Sequence, residues 1–195
     1  MIKDIDIAVS CLKKGGVIAF PTETVMGLAV IFDNEEAYHR LNSIKRRPED
    51  KPYTMMVHSI DVIGNYAFID DRYKKLIQTF MPGSLTILLK AKDNVPDWVT
   101  HNTGIIGIRI PNNDVALNLL NALELPILVP SANRSGKPPL KNSDEVKKEF
   151  EDELDYVIPG ECQSGVPSTI VDLTGDEFKI IREGSITLEM IKGAL

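Results

Sequence analysis

Cysteine is scarce in this chain. Cys11 and Cys162 are the only two among 195 residues, and they lie far apart in sequence. Outside any C-x-x-C spacing, they exclude a disulfide framework and a thiolate zinc site, and read as free thiols of a reducing compartment. No apolar run approaches the ~18 residues a membrane-spanning helix needs. The N-terminus, Met-Ile-Lys-Asp-Ile-Asp-Ile, has no cationic stretch followed by an apolar one, so a secretory signal is not expected and a cytoplasmic location is. Positive charge is also in short supply: 22 Lys and Arg face 28 Asp and Glu, a formal net charge of −6. That balance argues against strong non-specific binding to nucleic acid, while leaving room for a weak local RNA contact. Familiar catalytic devices are missing as well. The sequence has no G-x-x-x-x-G-K-[ST] loop, no G-x-G-x-x-G fingerprint and no G-x-S-x-G elbow, and His39, His58 and His101 show no metal-binding spacing.

What is present is an ordinary globular composition, 43% apolar and 26% charged, in a length that suits one domain over residues 1–195. Apolar residues at Ile5, Ala8, Val9 and Leu12 predict a helix over 4–14, stopped by Gly15. Strands are expected at 16–20, 27–32, 54–57, 84–89, 105–110, 127–129, near Tyr156, and at 169–173 and 178–182. Helices are expected from an Asn34 cap to about Arg46, over 71–81 and 113–123, from a cap near Ser143, and from Thr187. Without a clean βαβ repeat, this order predicts a single α/β domain with a mixed, partly antiparallel sheet.

The densest positive feature is Lys45-Arg-Arg-Pro-Glu-Asp-Lys-Pro52, four cations within seven residues. Pro48 disfavours helical geometry at Arg47, so the cluster straddles a helix end and its loop. It reads either as a solvated helix end or as a polyphosphate clamp of planar guanidinium forks and mobile ammonium charges. Arg109 and Arg182 each end an apolar strand, where a cation either snorkels to the surface or meets an anion. Thr22, Thr24, Ser131, Asn133, Ser168 and Thr169 are turn or capping residues by one reading and substrate-positioning groups by the other. Glu23 and Asp172 are isolated carboxylates, either ion-pair partners or candidates for a base or a magnesium ligand. No covalent nucleophile stands out. Any chemistry here rests on positioning and electrostatics.

Taken in order, these segments resemble the YrdC-like threonylcarbamoyl-AMP synthase family, in its short form. The residues that carry the resemblance are Gly-Gly-Val-Ile-Ala-Phe-Pro-Thr-Glu-Thr-Val-Met-Gly-Leu at 15–28, Lys45-x-Arg47-Pro-x-x-Lys51-Pro, Met-Pro-Gly-Ser-Leu-Thr at 81–86 and Gly-Ile-Arg-Ile-Pro at 107–111. Pro-Ser-Ala-Asn-Arg-Ser-Gly at 130–136, Ser-Thr-Ile-Val-Asp-Leu-Thr at 168–174 and Ile-Arg-x-Gly at 181–184 complete the set. The resemblance implies a single α/β domain whose twisted mixed sheet and helices surround a basic concave cavity. It also implies a nucleotidyltransferase that joins L-threonine, bicarbonate and ATP into threonylcarbamoyl-AMP and pyrophosphate. A partner transferase then modifies transfer RNA to N6-threonylcarbamoyladenosine, with a weak direct contact to transfer RNA left open. It assigns Lys45, Arg47, Lys51, Asn133 and Arg182 to ATP, with Lys45 and Arg47 acting electrostatically. It assigns Thr24, Arg109, Ser131 and Ser168 to threonine, and expects Mg2+ to be held mainly through the phosphates and water, with no metal-ligating residues of its own. The chain departs from the family pattern at Met26 (usually tyrosine), Arg46 (commonly glycine), Met56 (histidine in many longer members) and Glu183 (usually proline). A non-catalytic RNA-binding protein using the same basic cavity is the alternative reading.

Overall fold

The computed structural model describes residues 2–47 and 52–195. Helix α1 (Ile2–Lys13) buries Ile5, Ala8 and Leu12 along one stripe. It leads into the antiparallel pair β1 (Ile18–Phe20) and β2 (Gly27–Ile31). Helix α2 (Glu35–Lys45) starts where Asn34 Oδ1 accepts from the Ala37 amide at 2.9 Å and ends at Arg46, in left-handed geometry with φ 52°. Beyond it come β3 (Thr54–Met56) and α3 (Ile60–Tyr66). A 3-10 turn at Asp71–Tyr73 then opens α4 (Lys74–Phe80). Strand β4 (Leu85–Lys90), the one-turn α5 (Asp97–Thr100), β5 (Ile105–Arg109) and α6 (Asp114–Leu123) follow. The chain continues through β6 (Ile127–Val129), α7 (Ser143–Phe150), a 3-10 turn at Glu151–Glu153, β7 (Tyr156–Val157), β8 (Thr169–Asp172), β9 (Lys179–Arg182) and α8 (Leu188–Ala194). The cap expected near Ser143 is Asn142, whose Oδ1 accepts from the Glu145 amide at 2.9 Å. Helix α3, which buries only Ile63, and the one-turn α5 show no apolar helical stripe in the sequence.

The strands form one sheet in the order β7-β1-β2-β6-β3-β5-β4-β8-β9. Pairs β1–β7, β3–β5 and β4–β8 are parallel and the others antiparallel, the mixed sheet that the element order predicts. Side chains alternate between its two faces. One face carries Leu28, Val30, Leu128, Met55, Ile108, Ile87 and Val171 into the larger core. The opposite face carries Ile18, Phe20, Ala29, Ile31, Ile127, Val129 and Met56 into a smaller core, closed by Ala8 and Leu12 of α1 and by Leu119, Leu120 and Leu123 of α6.

That helical cover stops at β3. Continuing along the same face, the registers place Thr54 opposite Gly107, Gly107 opposite Leu88, Leu88 opposite Asp172, and Thr86 opposite Ile170. Leu88, Ile105 and Ile170 are half-buried and belong to neither core. Gly107 keeps this floor level, since a Cβ there would approach Leu88 Cδ2 to 3.1 Å. Among the described residues, half of one sheet face is therefore left open, and the candidate site lies where the covered half ends.

Candidate active site

A cavity of about 220 Å³ opens where the uncovered face meets the loops after β1, α2, β6 and the segment leading into β8. Thr54, Met56, Thr86, Arg109, Ile170 and Arg182 supply its floor, and Thr24, Arg47, Ser131, Pro139, Pro167 and Ser168 its walls. No carboxylate is among the described lining residues.

Arg109 is anchored at all three guanidinium nitrogens. Nε donates to Gly83 O at 3.1 Å, Nη1 to Thr24 Oγ1 at 2.9 Å and Nη2 to Glu23 Oε1 at 2.6 Å. Arg109 and Glu23 are both buried, so the pair exchanges hydration for a charge-assisted bond in low-dielectric surroundings. Glu23 Oε2 is buried without a hydrogen-bond partner. Thr22 Oγ1 donates to Val25 O at 2.8 Å, so its 2.9 Å contact with Thr24 Oγ1 has Thr24 as the donor. Thr24 thus gives its proton to Thr22, accepts from Arg109, and keeps its remaining lone pair for the cavity.

Arg182 stands at the exposed rim and forms no ion pair among the described residues. Its Nε and Nη2 donate to Ser168 O at 3.0 and 2.8 Å, and Nη2 also reaches Ser168 Oγ at 3.2 Å. Loss of solvent around the guanidinium, and repulsion from Arg109, lower its pKa. An anion between the two arginines relieves that repulsion. Ser168 Oγ also meets Thr86 Oγ1 at 2.8 Å, on the floor. The loop after β9 comes close enough to hold this arrangement because Gly184 has no side chain: a Cβ there would press on Pro167 O and lie 2.9 Å from Ser168 C and Thr169 N.

Lys45 lies differently from its neighbours in the cluster. It is 1% exposed, does not line the cavity, and donates to Ser131 O at 2.6 Å, Asn133 O at 2.7 Å and Asn133 Oδ1 at 3.2 Å. Burial, together with the charges of Arg47 and Arg134, brings its pKa down to about 7. Asn133 is likewise engaged within the protein. Arg47 lines the cavity, sits 4.9 Å from the Tyr53 ring centroid and donates to Pro52 O at 3.2 Å. Arg46 is exposed and does not line the cavity. Lys51 lies outside the described residues.

The structure thus brings Thr24, Arg47, Arg109, Ser131, Ser168 and Arg182 to one cavity, and places Lys45 and Asn133 behind its wall. Thr86 and Tyr53 also line it but were not singled out from the sequence. Thr86 had a signal: a hydroxyl residue within the otherwise apolar run Leu-Thr-Ile-Leu-Leu at 85–89. Asp172 is turned to local use, its Oδ1 accepting from the amide and hydroxyl of Thr174 at 2.9 and 2.6 Å.

The chain is similar to known proteins over most of its length. The Sua5/YciO/YrdC family model, described as "Telomere recombination", matches residues 10–184. The chain belongs to this family. A putative threonylcarbamoyl-AMP synthase of Methanocaldococcus jannaschii is 38% identical over 181 residues, covering 92% of this chain and 85% of that protein. The structure of Pyrococcus abyssi Sua5 complexed with L-threonine superposes with a TM-score of 0.94 at 35% identity, over 98% of this chain and 57% of that one. Escherichia coli YciO superposes with a TM-score of 0.90 at 29% identity, over 98% and 94%. The chain therefore spans little more than half of the Sua5 chain and nearly all of YciO. The single α/β fold expected of a YrdC-like protein is the one observed.

Proposed function

We propose that this member of the Sua5/YciO/YrdC family is an L-threonylcarbamoyladenylate synthase, a nucleotidyltransferase acting on L-threonine, bicarbonate and ATP. The observation that carries the reading is a cavity whose described lining holds three arginines and several hydroxyl groups but no carboxylate. Such a lining suits substrates that bring the negative charge with them. The relatives' names and the threonine complex of Sua5 support the choice of reaction and amino acid.

In this reading the amine of threonine attacks the carbon of bicarbonate and water leaves. A carboxylate oxygen of the resulting carbamate attacks the α-phosphorus of ATP, the bond from that phosphorus to the bridging oxygen breaks, and pyrophosphate departs with the electron pair. Arg47, Arg182 and, from its place in the basic cluster, Lys51 hold the phosphates and the charge that develops on pyrophosphate. Arg109, through its unused Nη protons, and Ser168 hold the threonine carboxylate. Thr24 and Ser131 face the donor groups of the amino acid. The protein fixes two substrates in line and supplies charge, with no covalent intermediate. Mg2+ enters on the phosphates and water, as suits a hard cation that dehydrates reluctantly. The product passes to a transfer-RNA threonylcarbamoyl transferase in the cytoplasm.

The test is pyrophosphate release by the purified chain with ATP, Mg2+, bicarbonate and threonine. The expected result is release that stops when either threonine or bicarbonate is left out. Release indifferent to both overturns the assignment.

A further inference from the structure

The geometry points to Lys45 as a positioning residue that, through Asn133, makes Ser131 Oγ a hydrogen-bond acceptor for the amino or hydroxyl group of the amino-acid substrate. The inference rests on the synthase reading and changes the part Lys45 and Asn133 play in it: they serve the amino acid, not the nucleotide.

The direction of every proton in this network follows from what each partner is able to do. The three acceptors around Lys45 Nζ, Ser131 O, Asn133 O and Asn133 Oδ1, match the three protons of its ammonium form, which only donates. Asn133 Nδ2 donates to Arg134 O at 3.0 Å and Lys137 O at 2.7 Å, both of which only accept. The amide is thereby fixed in one orientation from both ends, with Oδ1 towards Lys45. Because Oδ1 only accepts, the 2.6 Å contact with Ser131 Oγ takes the Ser131 proton. Ser131 Oγ, on the cavity wall, is left with lone pairs alone to offer a ligand.

The end of α2 is stitched to the same loop by its backbone. Lys45 O accepts from the Ser135 amide at 2.9 Å, and Ile44 O accepts from Arg134 Nη1. Arg134 is held in turn by Glu149 and Glu153 and lies 4.6 Å from the Phe150 ring centroid. Lys45 therefore has a rigid post behind it and a cavity oxygen in front of it, and its own ammonium does not reach the cavity. Ser131, with its proton directed away, is a pure acceptor on the cavity wall, while Arg47, Arg109 and Arg182 bring donors and positive charge to the same cavity. An amino acid, a hydrogen-bond donor at its amine and an anion at its carboxylate, matches that polarity.

The experiment measures KM for threonine and for ATP separately, in the pyrophosphate-release assay, for wild type, Lys45→Met, Ser131→Ala and the double variant. The expected result is a rise of about tenfold in the threonine KM for each single variant, the size of a lost charge-assisted hydrogen bond. The ATP KM should hold within about twofold, and the double variant should rise no further than the larger single effect. A raised ATP KM in Lys45→Met with an unchanged threonine KM makes Lys45 a phosphate ligand and overturns the inference; additive effects in the double variant overturn it too. Should Lys45→Met fail to fold, Ser131→Ala decides alone, because its partly exposed hydroxyl is removable without touching the post. An unchanged threonine KM in that variant refutes the acceptor role. Wild-type enzyme indifferent to threonine overturns the synthase reading itself, a result distinct from these.

Discussion

One face of the sheet has two halves with the same alternating pattern and opposite fates. Over β1, β2 and β6 the outward residues are Phe20, Ala29, Ile31 and Ile127, sealed under α1 and α6. Over β5, β4 and β8 they are Gly107, Thr86, Leu88, Ile170 and Asp172, with no helix above them among the described residues. The buried charged side chains among the described residues, Glu23, Lys45 and Arg109, all lie at the cavity or directly behind its wall. The covered half is held by apolar area, whose contribution scales with contact. The open half exchanges part of that stabilisation for charges and hydroxyls whose partners are fixed in advance. Stability and chemistry are thus divided between two regions of one surface, and substitutions should separate them.

The largest contrast is in packing. Phe20→Ala should lower the unfolding free energy by about 3–5 kcal/mol, whereas Leu88→Ala, half-exposed on the open floor, should cost about 1 kcal/mol or less. Urea denaturation of both variants checks this; equal losses would mean that the open half is core after all. The converse contrast is in activity. Arg182→Ala should slow pyrophosphate release by about 100-fold or more while shifting stability by no more than about 0.5 kcal/mol. A variant of near wild-type rate would remove Arg182 from the machinery. The smallest effect concerns the backbone at the rim. Arg46 occupies a left-handed position at the end of α2, where a Cβ is unfavourable, and it contacts nothing in the cavity. Arg46→Gly should stabilise the protein by about 0.5–1 kcal/mol, with kcat unchanged.

Much of this division is readable from the chain itself. The helical stripe Ile5, Ala8, Leu12 marks α1, and the asparagines at 34 and 113 mark two helix starts because capping is a local interaction of three residues' reach. Arg109, Thr24, Ser131 and Arg182 could be gathered because each ends a strand or follows one, and Ser168 because it leads into one. What stayed hidden was non-local. Lys45 reads as another cation of its cluster, yet its acceptors lie 86 and 88 residues away. The Arg109–Glu23 pair spans 86 residues. No periodicity encodes whether a side chain turns into a cavity or behind its wall, because that depends on which loop folds over it. Arg46 shows the opposite case: its departure from the family's common glycine marks, in the sequence alone, the position that proves to be left-handed.

Gly184 has a consequence of a different kind. It lies outside the cavity, and its amide, donating to Thr169 Oγ1 at 2.9 Å, points into the loop junction and not at a ligand. Yet the two loops that carry Ser168 and Arg182 can touch only across the gap its missing side chain leaves. In a survey of tolerated substitutions, position 184 would register as unforgiving as an active-site residue, for reasons of clearance alone.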